Sequence, residues 1–169
     1  MKKLSNTIIA ILLFSAFNVS IAQVFKNEKD PFTGEKVVSA DYYRQVYLVN
    51  KGGKTKFEVQ WSYPGSFSAV ISKGAEIMFK MKDGEIIKLT TVSDAQPKLG
   101  AGYGGVFTSY VFETELEKVT LNKFSLVKIE MLRVPDMKAG STDLDKKMPF
   151  GKVYFKFIMK GAKYLMKNI

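Results

Sequence analysis

Two hairpin signatures between residues 51 and 92 constrain this chain more than any other feature. Lys51-Gly52-Gly53-Lys54 leads into Thr55 to Tyr63, where Phe57, Val59 and Trp61 alternate with Lys56, Glu58 and Gln60. Asp83-Gly84 separates Ala75 to Lys82 from Glu85 to Val92, with Ile77, Phe79 and Met81 set against Glu76, Lys80 and Lys82. Successive side chains of a strand point to opposite faces, so each run offers one face to a core and one to water. Asp-Gly between two such runs predicts a two-residue type I′ turn. Strands joined this tightly pair antiparallel.

The rest of the chain extends that pattern. Asp30-Pro31-Phe32-Thr33-Gly34 reads as a turn, with Pro presetting its own backbone angle and Gly at the exit. Glu35 to Val49 reads as one extended run, Asp94 to Gly105 as a flexible stretch, and Val106 to Glu115 as a strand carrying Phe107, Tyr110 and Phe112. Glu115 to Lys123 fits one short helix, and Leu126 to Val134 a strand ended by Pro135. The last segment fits two periods. Val153, Phe155 and Phe157 alternate as in a strand, while Phe150, Val153, Tyr154, Phe157, Ile158, Ala162, Leu165 and Ile169 fit a helical stripe. The expectation is a strand to about Phe157 and a helix after it. Six or more strands with one or two late helices predict an α+β fold, mostly antiparallel, with the C-terminal helix covering a sheet face. The alternative is an all-β sandwich.

Asp30-Pro31-Phe32-Thr33-Gly34-Glu35, a strand entering at Gly74 and turning at Asp83-Gly84, a short Glu/Lys/Leu helix, Lys128-Ile129 with Arg133, and a lysine-rich tail follow in order. In this order of elements the chain resembles small exported proteins of Bacteroidetes-type bacteria whose function is unknown. The resemblance implies export and this fold. It implies no activity and no site residues.

Residues 1–22 have the charged, apolar and small-residue order of a secretory signal: Lys2-Lys3, the run from Thr7 to Phe17, then Ser20 and Ala22 at the small positions before a cut. Cleavage after Ala22 leaves a mature domain of residues 23–169, beginning at Gln23 and located in the periplasm or outside the cell. A bilayer span needs about 20 apolar residues, roughly twice this run, so no transmembrane segment is expected after cleavage. Removing Lys2 and Lys3 from the 26 basic residues leaves 24 against 16 acidic ones, a net charge of +8. Of these, seven lysines (Lys146, Lys147, Lys152, Lys156, Lys160, Lys163 and Lys167) follow Asp145 with no acid among them.

The chain has no cysteine and no histidine. That excludes disulfides, thiol nucleophiles, the Ser-His-Asp triad and ordinary zinc sites. It leaves carboxylates, lysine and tyrosine for any catalysis, and favours a non-catalytic protein that binds a ligand or partner. No cofactor and no metal is expected. Asp136, Ser141, Asp143 and Asp145 gather oxygen donors, but no glutamate closes the calcium pattern, and Lys138, Lys146 and Lys147 oppose a cation. Gly100 to Gly105 lacks the strand–loop–helix setting and the Gly-Lys-Ser/Thr of a phosphate loop.

Two candidate ligand-binding sets remain. Tyr63, Phe67, Tyr103 and Phe107 are expected in or beside loops, where rings stack on sugars; Tyr103 and Phe107 beside the glycines are the strongest of them. Lys156, Lys160, Lys163 and Lys167 fall on one side of the terminal helix, opposite Ile158, Ala162, Leu165 and Ile169, and suit an anionic envelope component. The expected partner is a glycan or such an anion rather than nucleic acid, and the sequence gives no oligomeric state. Glu113, Glu115 and Glu117 share a face on a continuous strand, which keeps a carboxylate-dependent glycan hydrolase as the alternative.

Overall fold

The computed structural model describes residues 23–102, 104–136, 140–145 and 149–169. The strands are β1 (Val24–Lys29), β2 (Lys36–Tyr42), β3 (Val46–Lys51), β4 (Lys54–Pro64), β5 (Glu76–Met81), β6 (Ile86–Thr90), β7 (Lys98–Gly102), β8 (Gly105–Leu116), β9 (Ile129–Asp136) and β10 (Gly140–Asp145). The helices are α1 (Lys118–Leu126) and α2 (Pro149–Asn168). All strand pairs are antiparallel, in a six-stranded sheet of order β1-β2-β3-β4-β8-β7 and a four-stranded sheet of order β10-β9-β5-β6. The fold is α+β, mostly antiparallel, and includes a C-terminal helix.

Register follows the alternation in the sequence. Phe57 pairs with Leu48 and Thr114, and Val59 with Val46 and Phe112, which puts their side chains on one inner face. Ile77, Phe79 and Met81 form the inner face of β5. The two inner faces share one core, in which Phe57 of β4, Phe79 of β5 and Phe124 of α1 meet ring to ring. The sheets also join along one seam, where Val92 N–H donates to Glu113 O at 2.9 Å and Thr91 bridges to Thr114. α2 packs against α1 and against β2, β3 and β9, so it covers inner-face residues Ala40 and Leu48.

Several elements differ from expectation. Glu35 to Val49 is two strands, not one, because the chain reverses at Tyr43 and Arg44, both in the left-handed region at φ 50° and 58°. Such angles disfavour residues with a side chain. Here Arg44 N–H donates to Asp41 Oδ1 at 2.8 Å, and the Arg44 guanidinium pairs with the same carboxylate. The Asp83-Gly84 hairpin forms, but only Gly84 has positive φ, so it is not type I′. Gly84 N–H donates to Met81 O and Met81 N–H to Glu85 O, the pattern of a type I turn closed by a glycine bulge. The stretch from Asp94 to Gly105 contains strand β7, α1 begins three residues late, and Gly140 to Asp145, to which the sequence assigned no element, is a strand. β1 has no counterpart in the expectation.

The largest correction is at the C-terminus. Pro149 to Asn168 is one helix, with no strand through Phe157. Pro149 occupies its first position, where the missing N–H is harmless. The helix buries Tyr154, Phe155, Phe157, Ile158, Ala162 and Leu165, leaves Val153 exposed, and exposes all of Lys152, Lys156, Lys160, Lys163 and Lys167. A strand would have left Tyr154 and Ile158 on the wet face.

Candidate functional site

The lysine side of α2 meets the start of β9 in a groove of about 440 Å³, lined by Lys128, Ile129, Lys152, Phe155, Lys156 and Met159. Positions 152, 155, 156 and 159 share one helix face at spacings of three and four. Lys128 arrives from the other wall. It follows Val127, the C-cap residue of α1, and its carbonyl accepts from Lys82 N–H at 2.8 Å, which ties this corner to the β5–β6 hairpin. Ile129 and Phe155 are buried and Met159 half-buried, so the floor is apolar. Among the described residues no acidic side chain lines the groove, and none of the three lysines forms an ion pair.

The position of this charge is unfavourable to the fold. Lys152 stands in the first turn of α2, which has no acidic residue, at the end where the helix dipole is positive. Among the described residues four lysines elsewhere are paired: Lys51 binds Asp30 at 2.6 Å, Lys88 lies 3.5 Å from Glu76, Lys123 binds Asp83 and Glu85 at 2.6 and 2.5 Å, and Lys56 pairs with Glu113. The Lys51 and Lys123 ammonium groups pull the carboxyls of Asp30 and Asp83 below the ordinary range.

Of the lysines singled out in the sequence, Lys156 lines the groove. Lys160, Lys163 and Lys167 are exposed on the same helix outside it. Lys128 and Lys152 were missed, since a lysine ahead of a strand carries no signal of what it faces.

Of the aromatic set, the described members Tyr63, Phe67 and Phe107 do not form one exposed stacking surface. Tyr63 is 5% exposed, packs on Tyr110 edge to face, and donates its hydroxyl to Pro135 O between the sheets. Phe67 is half-buried against the core. Phe107 lies on the outer face of β8 with its ring over Gly100, where an added Cβ would come within 2.5 Å of the ring. Gly100 therefore makes room for Phe107 inside a strand pair. Tyr103 lies outside the described residues, as do the side chains of Asp136, Ser141, Asp143 and Asp145.

The acidic row gains a member that sequence spacing did not reveal. Glu113 sits opposite Glu58 across β4 and β8, on the outer face of the six-stranded sheet, and also receives the Ser93 hydroxyl. Glu115 sits opposite Lys56. Partial burial and then the Glu113 carboxylate push the Glu58 carboxyl above its ordinary value. Two carboxylates side by side on one sheet face offer no second wall to hold a sugar ring between them.

A raised native pKa makes Glu58 most favourable to the fold below its unfolded value, and that contribution is lost as pH rises through the folded one. Glu58→Gln should therefore raise the melting temperature at pH 7 and leave it unchanged near pH 3.5, below the ordinary glutamate value of 4.5. Thermal melts at the two pH values check this; an equal shift at both would mean that shape rather than ionisation is responsible.

A second hollow, of about 410 Å³, is lined by residues that include Glu35, Lys36, Asn50, Thr55 and Lys118. Its charges are mixed, and its Asn50 already donates to Thr55 Oγ1 at 2.9 Å. Among the described residues no three acidic side chains converge as a metal site would require, and no helix is long and apolar enough to cross a membrane. Comparison with family models, curated proteins and solved structures yields no match.

Proposed function

We propose that residues 23–169 form a non-catalytic binding domain of the bacterial cell envelope, which takes an anionic ligand in the groove between α2 and β9. The observation that carries this reading is the convergence of Lys128, Lys152 and Lys156, unpaired among the described residues, on one apolar floor. Like charges gathered without counter-ions repel one another, and an anion relieves that repulsion. The signal-like order of residues 1–22 supports export. Cleavage after Ala22 would leave every described strand intact, since the first of them starts at Val24.

Charge reversal tests the site. The mature domain should be retained on immobilised phosphatidylglycerol vesicles at 150 mM salt, about a Debye length of 8 Å, where scattered surface charge is largely screened. Lys152→Glu with Lys156→Glu should abolish retention. Lys160→Glu with Lys167→Glu, the same change in net charge outside the groove, should weaken it by less than about threefold, since exposed charges act only weakly through such screening. Equal losses from both pairs would reduce the lysines to bulk surface charge.

The second reading, a carboxylate-dependent glycan hydrolase, draws on the neutral-leaning Glu58 beside the lysine-held Glu113. It predicts turnover of a glycan that Glu113→Gln abolishes. The binding reading is preferred because its charges converge on a groove, whereas these carboxylates stand together on a sheet face.

A further inference from the structure

Building on the anion-binding reading of the groove, we infer that its ligand is a single-chain amphiphile, a hydrocarbon tail ending in a carboxylate or phosphate. The lining separates into two chemistries. Among the described lining residues, Lys128, Lys152 and Lys156 supply the charged groups, and Ile129, Phe155 and Met159 supply the rest. A compact hydrophilic anion, such as free phosphate, would leave the apolar floor wet. An acidic polysaccharide would present hydroxyls that need matching donors and acceptors, yet among the described lining residues there is no Asn, Gln, Ser, Thr, Tyr or carboxylate to meet them.

An anionic head with a hydrocarbon tail satisfies both halves. Lysine suits such a head, being a point charge on a flexible stem that sets no planar fork geometry. The stems of Lys152 and Lys156 add apolar wall beside Phe155. Met159, unbranched and polarizable, adapts to a tail of variable course. A volume of about 440 Å³ lies within the range of small-molecule sites, about 300–1,000 Å³, enough for a single chain.

The test is a calorimetric titration of the mature domain at 150 mM salt with monomeric hexyl, octyl and decyl phosphate, beside inorganic phosphate and octanol. Affinity should rise with tail length by about twofold to fourfold per methylene, fourfold being full burial. Octanol should bind at least about tenfold more weakly than octyl phosphate, the loss expected when the head makes no charge-assisted hydrogen bonds to the lysines. Lys152→Glu with Lys156→Glu should abolish binding of the charged series. Met159→Gln, at a half-buried position, should flatten the dependence on length while keeping the preference for phosphate over alcohol.

Inorganic phosphate binding as tightly as decyl phosphate would overturn the amphiphile and leave the anion site standing. Tight octanol binding with no gain from the phosphate would overturn both. So would binding of the charged series that survives the double lysine reversal. No binding by any of the five probes would likewise overturn both.

Discussion

Replacing Phe79 with alanine should cost about 3–5 kcal/mol of unfolding free energy, the range for a fully buried phenylalanine whose cavity the surroundings cannot fill. Phe79 is fully buried, with ring centroids 5.7 Å from Phe57 and 4.9 Å from Phe124. Those two rings belong to β4 and α1, so three elements lose their common contact at once. Neither neighbour can collapse easily into the space, because Phe57 is tied into its sheet by pairing on both sides and Phe124 sits in a helix that already packs on α2. Against a typical total of about 5–15 kcal/mol, this is a large fraction of the stability. Urea denaturation with Phe32→Ala as control checks it. Phe32 is 96% exposed on the first turn, and its loss should stay within about 0.5 kcal/mol. A cost below about 1 kcal/mol for Phe79→Ala would mean that the two sheets do not share a core at this point.

Gly161→Leu should destabilise by about 1–3 kcal/mol, the usual cost of overpacking. Two effects compete. Glycine inside a helix is about 1 kcal/mol worse than alanine, so any side chain gains from propensity. Yet a Cβ at this position would stand 3.1 Å from Ala40 Cβ and 3.1 Å from Leu48 Cδ1, already closer than ordinary contact. For alanine the neighbours need yield only a few tenths of an ångström, so gain and strain should nearly cancel, leaving Gly161→Ala within about 1 kcal/mol of the parent. Leucine adds three more carbons into the same gap, and steric strain wins. The larger variant must also push α2 off β2 and β3, moving Lys152, Phe155, Lys156 and Met159 away from Lys128 and Ile129. Urea melts of the two variants decide the matter: equal stabilities would mean that α2 does not rest on the sheet through Gly161.

Local chemistry in the sequence was sufficient wherever period and turn agreed. Thr55 to Tyr63 alternates without a break and Ala75 to Lys82 with only Met78 out of pattern, both beside glycine-bearing turns, and both are strands with the expected face buried at Phe57, Val59, Ile77, Phe79 and Met81. Asp30 to Gly34 likewise turns as its residues dictate: Asp30 Oδ1 accepts from Phe32 and Thr33 N–H at 2.9 and 3.0 Å. The preference of the terminal stripe to bury Ile158, Ala162 and Leu165 while wetting its lysines was also legible, because a helical spacing of three and four separates those sets without help from neighbours.

Only tertiary structure decided the remainder. Phe150 to Phe157 fits a strand and a helix equally well, and the choice falls to the helix because the inner face at Ala40 and Leu48 needs a cover that α2 supplies. β1 has little apolar pattern of its own; its backbone is extended because β2 offers a free edge, with Phe25 resting near Phe157 and Tyr164. The reversal at Tyr43 and Arg44 has no glycine, asparagine or proline to announce it, since the register of β2 on β3 imposes those angles. The groove depends most on the fold. Lys128 and Lys156 are 28 positions apart, and no local rule relates them. They meet because α1 packs on α2 and delivers the chain to β9 beside the first turns of that helix, placing their charges together over an apolar floor.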